Sequence, residues 1–391
     1  SITFTLDSSD ASEGSVLPVS LTFTNGNWNT PQLVTVTGID DEQDDGATVY
    51  SILTGLITSD DVNYDGLNPS DVSVTNTDND SAAVTVTQSD GSTLVTEAGE
   101  TDTYTLVLTT EPTGSVNIDV ETDGQGLAST PTITFTIENW DTPQTVTVTA
   151  VNDDIAEGNH VSVFIHTSSS SDPVYDGIEV SSVSSDIADN DTAGITVSLV
   201  SGNTSEAGVT ATATLVLNSE PTATVTIGIA SSDTSEGTVV PAFMVFTTGN
   251  WDTPQTLTVT GVNDNVDDEA VLYTITTGLA SSSDLNYDNL NPDDVAVTND
   301  DNDTSGLAVS VISGNTTEAG GTATFTVVLL SEPTADVSVD LSSSDTTEGT
   351  VSPAILTFTS GNWSLVQTVT VTGVNDLVVD EDVQYTVLTA A

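Results

Sequence analysis

Acidic side chains recur at fixed places along this sequence, and no basic side chain accompanies them. The 391 residues include 59 Asp and Glu but no Lys, no Arg and no Cys. The acids fall in short polar segments such as 95–99, 152–158 and 189–191. Carboxylates that converge without a nearby cation cannot all remain ionised. A hard divalent cation would relieve that repulsion, so metal binding is the first chemistry to consider.

A tryptophan-containing stretch sets the spacing of these acids. It reads GNWNTPQLVTVTG, ENWDTPQTVTVTA, GNWDTPQTLTVTG and GNWSLVQTVTVTG around Trp28, Trp140, Trp251 and Trp363, in steps of 112, 111 and 112 residues. A period this constant indicates tandem copies of one domain type. We predict a partial repeat at 1–80 that lacks strands A and B, complete repeats at 81–191 and 192–303, and a partial repeat at 304–391 that lacks strand G. Both ends are expected to be cuts through a longer array.

Short strands are the elements that must position the acids. Alternating patterns such as VTVT and TYTLVL are typical of half-buried strands, and no helical period competes with them. In repeat two we predict seven strands, A to G, at 83–88, 102–109, 116–121, 132–137, 144–151, 161–166 and 179–187. This pattern predicts an all-β chain, a tandem array of immunoglobulin-like, seven-stranded β-sandwiches.

Strand direction decides where the acids meet. Successive antiparallel strands point to opposite poles, so the AB, CD and EF loops and the end of strand G share one pole. The candidate ligands at that pole are Asp10, Glu13, Asp40, Asp41, Asp44, Asp78 and Asp80 in repeat one; Glu97, Asp123, Asp153, Asp154, Glu157, Asp189 and Asp191 in repeat two; Glu206, Asp233, Glu236, Asp264, Asp267, Asp268, Asp301 and Asp303 in repeat three; and Glu318, Asp345, Glu348, Asp376 and Asp380 in repeat four. Solvated loop acids are the alternative, but the fourfold recurrence favours a metal.

Calcium is the ion that this donor set predicts. It takes 6–8 oxygen ligands in flexible geometry, whereas magnesium is less suited to a site made only of protein atoms. The chain has no Cys, and its two histidines, His160 and His166, lie on one predicted strand. On that basis the sequence excludes zinc and soft-metal sites.

Three motifs together resemble the Calx-β domain. They are the TEAG-like element around Glu97, Glu206 and Glu318, the VNDD-type loop at 151–154, 262–264 and 374–376, and the terminal Asp-Asn-Asp. The resemblance covers all four repeats and implies a calcium-binding sandwich. It implies calcium ligands at Glu97, Asp153, Asp154, Glu157, Asp189 and Asp191, and at Glu206, Asp264, Asp267, Asp268, Asp301 and Asp303. Asn in the middle of the triplet, and Ala156 where repeats one and three have acids, depart from the pattern.

The charge excludes some functions. With a formal charge of −59 and no basic side chain, the chain cannot neutralise phosphate, which excludes nucleic acid and disfavours an anionic membrane surface. No apolar run is long enough to cross a bilayer, so we predict no membrane insertion. Paired carboxylates could serve a glycosidase, but here they repeat in every domain without a cleft-forming insertion. We therefore predict that the chain is not an enzyme.

Tandem arrays of Calx-β-like domains are similar to parts of very large secreted bacterial surface proteins and adhesins. We predict a secreted, extracellular array at a cell surface that acts as a rigid filament, stalk or spacer. Its predicted partners are calcium ions, neighbouring repeats and, in a filament, other copies of the chain. One alternative is an adhesin whose repeats bind glycan or protein, with Trp140 and Tyr175 as a sugar-stacking platform; core packing of these rings is the favoured interpretation. Another alternative is a calcium sensor.

Overall fold

The computed structural model describes residues 1–376 and 381–390. Its chain forms two compact units, Ser1–Asp153 with Glu157–Asn190, and Asp154–Ala156 with Asp191–Ala391. Repeats one and two supply most of the first unit, and repeats three and four supply the second. The exact limits of the four repeats stay a prediction.

Repeats one and two form four sheets in the first unit. Repeat one contains β1 Ile2–Ser8, β2 Gly14–Leu17, β3 Ser20–Phe23, β4 Thr35–Gly38, β5 Thr48–Thr54, β6 Thr58–Ser59 and β7 Val72–Asn76, in a sheet β3-β1-β5-β7 with β6 beside β1, and a pair β2-β4. Repeat two contains β8 Val84–Gln88, a 3-10 turn at Ser89–Gly91, β9 Thr93–Thr96, β10 Asp102–Leu108, β11 Val116–Thr122, β12 Gly126–Ala128, β13 Thr132–Phe135, β14 Gln144–Ala150, β15 His160–Ser170 and β16 Val183–Ala188. Its sheets are β12-β14-β10-β8 and β13-β11-β15-β16-β9.

The second unit repeats this arrangement. Repeat three contains β17 Ile195–Val197, β18 Thr204–Ser205, β19 Thr210–Leu217, β20 Val225–Ser231, β21 Gly237–Val240, β22 Phe243–Phe246, β23 Gln255–Gly261, β24 Val271–Thr277 and β25 Val295–Asp300, in sheets β17-β19-β23-β21 and β18-β25-β24-β20-β22. Repeat four contains β26 Leu307–Val309, β27 Thr322–Leu329, β28 Val337–Ser343, β29 Gly349–Ser352, β30 Ile355–Phe358, β31 Gln367–Gly373 and β32 Val387–Ala390, in sheets β26-β27-β31-β29 and β30-β28-β32.

The predicted fold class is confirmed, with two additions to the predicted strands of repeat two. All seven strands A to G are present, as β8, β10, β11, β13, β14, β15 and β16. Two short strands, β9 and β12, also join the sheets, although the sequence pattern treats both segments as loops. The count of seven was therefore too low, because strands of three or four residues are too short to establish a period of two. We call β9 and β18 strand A′, and β2, β12, β21 and β29 strand C′.

Alternation along the strands builds a core between the two sheets. On β10, Tyr104, Leu106 and Leu108 are buried while the residues between them are only half-buried. They pack with Ile118 from β11 and Phe164 from β15, which belong to the facing sheet. Burial of one such side chain stabilises the fold by about 1.5–3 kcal/mol. Repeat three has an equivalent core around Leu215, Ile227 and Phe246.

The tryptophan stretch is a turn that locks strand D to strand E. In repeat three, the Asn250 side-chain oxygen accepts a hydrogen bond from Thr247 N at 2.6 Å, and Gln255 Nε2 donates to Val245 O at 2.7 Å. The same two bonds form in the other repeats. Trp140, Trp251 and Trp363 pack against their cores half-buried, whereas Trp28 is 70% exposed. The Asn and the Gln of the motif therefore recur because their side chains hold the turn together.

A buried tyrosine closes the opposite pole of each complete repeat. Tyr287 is 1% exposed, and its hydroxyl donates to Ser219 O at 2.7 Å and accepts from Ser219 N at 3.1 Å. Tyr175 makes the same pair of bonds with Thr110 in repeat two. One hydroxyl thus satisfies both backbone groups of a buried turn residue, which would otherwise be costly to bury.

We predict that Tyr287→Phe destabilises the chain by about 1–3 kcal/mol, because the Ser219 backbone groups lose their partner while the ring volume is kept. Tyr64→Phe is the matched control, since Tyr64 occupies the same motif in repeat one but is 46% exposed. A substitution at an exposed site of this kind changes the free energy of unfolding by no more than about 0.5 kcal/mol. Urea unfolding of both variants measures the difference, and equal losses would contradict the proposed role of the buried hydroxyl.

Candidate metal centre

Parallel pairing of strand A′ with strand G brings the first Glu of each complete repeat to the terminal acids. In repeat three, β18 pairs in parallel with β25, and Glu206 N donates to Asp300 O at 3.1 Å. In repeat two, β9 pairs in parallel with β16, and Glu97 N donates to Ala188 O at 3.1 Å. Each Glu is therefore held beside the Asp-Asn-Asp that follows strand G.

The first carboxylate cluster of repeat three consists of Glu206, Asp301 and Asp303. One oxygen from each lies within 4.8 Å of the others. Glu206 is 7% exposed and accepts hydrogen bonds from Asp264 N and Asn302 N, each at 3.4 Å. Burial raises the pKa of Glu206, and the charges of Asp264 and Asp301 raise it further. These groups therefore resist being ionised together.

The second cluster of repeat three consists of Glu236, Asp264 and Asp268, again with one oxygen each within 4.8 Å. Glu236 is 8% exposed and accepts from Asn299 Nδ2 at 3.4 Å. Burial, followed by the charge of Asp268, raises the pKa of Glu236. Burial and the charges of Asp264 and Asp301 raise the pKa of Asp268. Because the backbone of Asp264 also contacts Glu206, the two clusters adjoin.

Repeat one has an open cavity of about 220 Å³ at the pole that holds the second cluster in repeat three. The acids that line it are Glu13, Asp40, Asp41, Asp45, Asp78 and Asp80. Glu13 is 8% exposed and accepts from Asn76 Nδ2 at 3.2 Å. Burial and neighbouring carboxylates raise the pKa of Asp45 and of Asp80. Polar oxygen donors thus surround a space large enough for hydrated ions.

Repeat two keeps the buried glutamate but changes its surroundings. Glu97 is 6% exposed. Burial raises the pKa of Glu97, and the charges of Asp189 and Asp153 raise it further. Glu157 accepts from Gln125 Nε2 at 2.8 Å. Asp191 and Asp154 belong to the second compact unit.

Some predicted ligands are engaged in turns instead of clusters. The carboxylates of Asp10, Asp233 and Asp345 accept from the backbone N–H two residues later, each at 3.0 Å, and from the hydroxyl of the same residue. Those hydrogen bonds lower the pKa of all three. Burial alone would raise the pKa of Asp123, but bonds from Ser162 and Val163 lower it. Calcium binding by these four carboxylates stays a prediction.

The remaining candidates have other surroundings. Asp44 and Asp267 accept from the backbone at the start of the following repeat, from Ala82 N at 2.8 Å and from Ser305 N at 2.6 Å. Glu318 is exposed, and Glu348 and Asp376 are half-buried at the EF-loop pole of repeat four. Asp380 lies outside the described residues.

Sequence reasoning missed the asparagines that support the buried glutamates. Asn76 and Asn299 donate side-chain amide hydrogens to Glu13 and Glu236 from the same position of strand G. They also donate to the EF-loop carbonyls of Ile39 and Val262. In the sequence, these residues are marked only by their position, because repeats one and three each have an Asn two residues before the terminal Asp-Asn-Asp.

The donor set of these clusters fits calcium. All clustered side chains in repeats one and three are carboxylates, the hard oxygen ligands that calcium prefers. Several are buried with raised pKa values, and the chain contains no Lys or Arg to neutralise them. A bound divalent cation would convert this repulsion into attraction.

Comparisons with known proteins give distant similarities. The sequence matches no protein-family model and no curated protein. Among solved structures, CBD12 from CALX1.2 matches at 14% identity over 56% of this chain and 99% of that chain, with a TM-score of 0.23. Domains 4-9 of the surface layer protein SbsC match at 14% identity over 99% of this chain and 57% of that chain, with a TM-score of 0.22. At these scores neither similarity carries an argument, and the fold assignment rests on the strand topology.

The buried glutamates predict an unusual pH dependence in the absence of metal. The pKa of Glu206 and of Glu236 is higher in the folded chain than the value of 4.5 in the unfolded chain. Each therefore contributes stability that is fully present below pH 4.5 and is lost as the pH rises through the pKa of the folded state. The lowered pKa of Asp233 acts oppositely, because its contribution is lost as pH falls below 3.8. We therefore expect the melting temperature in chelator to rise from pH 7 to about pH 5 and to fall below pH 4. A monotonic fall from pH 7 would contradict this.

Neutralising one buried carboxylate should have opposite effects with and without metal. We expect Glu236→Gln to raise the melting temperature in chelator at pH 7, because it removes repulsion, and to weaken calcium binding by about tenfold or more, because ligand charge sets affinity. Asp252→Asn, an exposed site in the tryptophan turn, is the matched charge control. Calorimetry with and without calcium measures both effects. A change of melting temperature in the same direction in both conditions would contradict the role of Glu236 as a calcium ligand.

Proposed function

We propose that this chain is an array of Calx-β-like, calcium-binding sandwich repeats that acts as an extracellular filament, stalk or spacer at a cell surface. The observation that carries this proposal is that the acidic EF loop also holds the next repeat. In the second unit, Glu332 N donates to Asn265 O at 2.6 Å. In the first unit, Glu111 N donates to Glu42 O at 2.7 Å.

Side chains of the same loop reinforce this attachment. Asp267 and Asp44 each accept from a backbone N–H at the start of the next repeat. Their neighbours Asp268 and Asp45 face the buried glutamates, whose charges repel them. Calcium among these acids would hold the loop in one conformation, and the loop would in turn hold the next repeat. Without calcium, repulsion between the carboxylates would make both the EF loop and its attachment to the next repeat more mobile.

The composition supports an exposed, extracellular setting. Trypsin-like proteases cleave after Lys and Arg, and the chain contains neither. No helix among the described residues is long and apolar enough to span a bilayer. The packing of Trp140 and Trp251 against their cores supports a spacer more than a sugar-binding adhesin. Catalysis has no support in the clusters, which recur in successive repeats.

Hydrogen exchange tests this coupling at the level of single amides. We expect the amides of Glu332 and Ser305, which bond to the EF loop of repeat three, to be protected in calcium and to exchange faster in chelator. The amide of Leu217, which donates to Trp251 O at the opposite end of repeat three, serves as the internal reference. Magnesium should not replace calcium. Unchanged exchange at Glu332 and Ser305 would overturn the proposed stiffening.

A charge-matched pair of variants separates the loop contact from general electrostatics. We expect Asp267→Ala to increase exchange at Ser305 by about fivefold or more in calcium, the equivalent of losing one hydrogen bond of about 1 kcal/mol. Asp252→Ala removes the same charge from the tryptophan turn and should leave Ser305 unchanged. The natural Ala156 in repeat two shows that the fold accepts alanine at this position. Equal effects of both variants would indicate net charge as the cause.

A further inference from the structure

Repeat two differs from its neighbours at the metal pole. The register of strands F and G aligns Phe164 with Ile275 and hence His160 with Val271. The differences from repeat three in this alignment include His160 for Val271, Gln125 for Glu236 and Ile187 for Asn299. In the EF loop, Ala156 replaces Asp267, Gly158 replaces Glu269 and Asp154 replaces Asn265. Three carboxylates are lost, one carboxylate is gained and one imidazole is gained, so the donor set moves away from the one calcium prefers.

The His160 ring is oriented with one nitrogen available. Nδ1 lies 3.0 Å from Gly158 O, and because a carbonyl can only accept, Nδ1 carries the proton. Nε2 of the neutral ring then has a free lone pair. Nε2 is buried and has no hydrogen-bond partner among the residues that the structure describes. Glu157 Oε2 lies 3.7 Å away, beyond hydrogen-bond distance.

Two glutamates from distant segments meet this ring. One ligand atom each from Glu97, Glu157 and His160 lies within 4.8 Å of the others. Glu97 is 6% exposed, whereas Glu157 is exposed and its Oε2 also accepts from Gln125 Nε2 at 2.8 Å. Metal-bound histidines usually donate their second ring N–H to a carbonyl or carboxylate, as His160 does to Gly158.

We propose that Glu97, Glu157 and His160 form a zinc site that exists in repeat two alone. Imidazole and carboxylate are ordinary Zn²⁺ ligands at about 2.0–2.2 Å, and three protein ligands plus water complete a tetrahedron. Calcium takes oxygen donors and has no preference for imidazole. Ligand atoms of a tetrahedral zinc lie about 3.3 Å apart, so the 3.7 Å between His160 Nε2 and Glu157 Oε2 must shorten when zinc binds. The sequence predicted no zinc site because the chain has no Cys and only two histidines, whereas the structure brings two carboxylates beside His160.

Histidine NMR on the full chain tests this site directly, because the chain has only two histidines. His166 is the internal control, since Tyr104 Oη lies 2.9 Å from its Nε2 and Ser181 O lies 2.7 Å from its Nδ1. With calcium in excess, we expect added zinc chloride to shift the ¹⁵N signal of His160 Nε2, to saturate at one equivalent and to leave His166 unchanged. No shift, or a shift at both histidines, would overturn the proposal.

The site shares Glu97 with the proposed calcium cluster, so the two ions must be distinguished. Calcium alone should not reproduce the Nε2 shift, and an equal shift with calcium would assign the site to calcium. His160→Val, which introduces the residue of repeat three, should weaken zinc binding by at least about tenfold and keep the calcium-induced rise in melting temperature. Asp141→Ala, at an exposed turn, is the control that should bind zinc normally. Equal zinc affinity in both variants would overturn the proposal.

Discussion

Repulsion between like charges at one pole of each sandwich is the constraint on which the rest of this structure depends. The chain carries 59 acidic and no basic side chains, so no internal ion pair with Lys or Arg can relieve it. Glu13, Glu97, Glu206 and Glu236 are nevertheless buried at that pole. Burying an ionised carboxylate is expensive unless it is paired or bound to metal. The fold therefore concentrates unfavourable charge where a cation can bind.

The rest of each repeat holds that charge in place. Two hydrophobic sheets meet in a core around residues such as Tyr104, Leu215 and Phe246. The tryptophan turn joins strands D and E, and Tyr175 or Tyr287 closes the pole opposite the acids. These local interactions are neutral and well satisfied, so they do not depend on the metal. The repulsion between carboxylates is thereby concentrated in the EF loops and beside the residues of the next repeat that bond to them.

Variation among the repeats changes the set of donor side chains at one pole of the same fold. Repeats one and three retain a buried Glu before strand C′ and an Asn on strand G, whereas repeat two has Gln125 and Ile187 at those positions. The same repeat introduces His160 beside Glu97. These substitutions change the donor chemistry at one pole, and Ile187 also joins the hydrophobic core of repeat two.

The sequence by itself determined the repeat, the strands and the pole at which the acids gather, since these follow from a constant period, an alternation of two and the parity of antiparallel strands. It did not reveal the strand A′ that pairs in parallel with strand G, which brings Glu206 to Asp301 and Asp303. Nor did it separate Asp233, which caps a turn, from Glu236, which is buried three residues later. Glu97 and His160 lie 63 residues apart and meet only through the registers of β9, β16 and β15. Those contacts depend on which strands pair and at what offset, and long-range pairing is decided by packing of the whole sandwich instead of any local pattern.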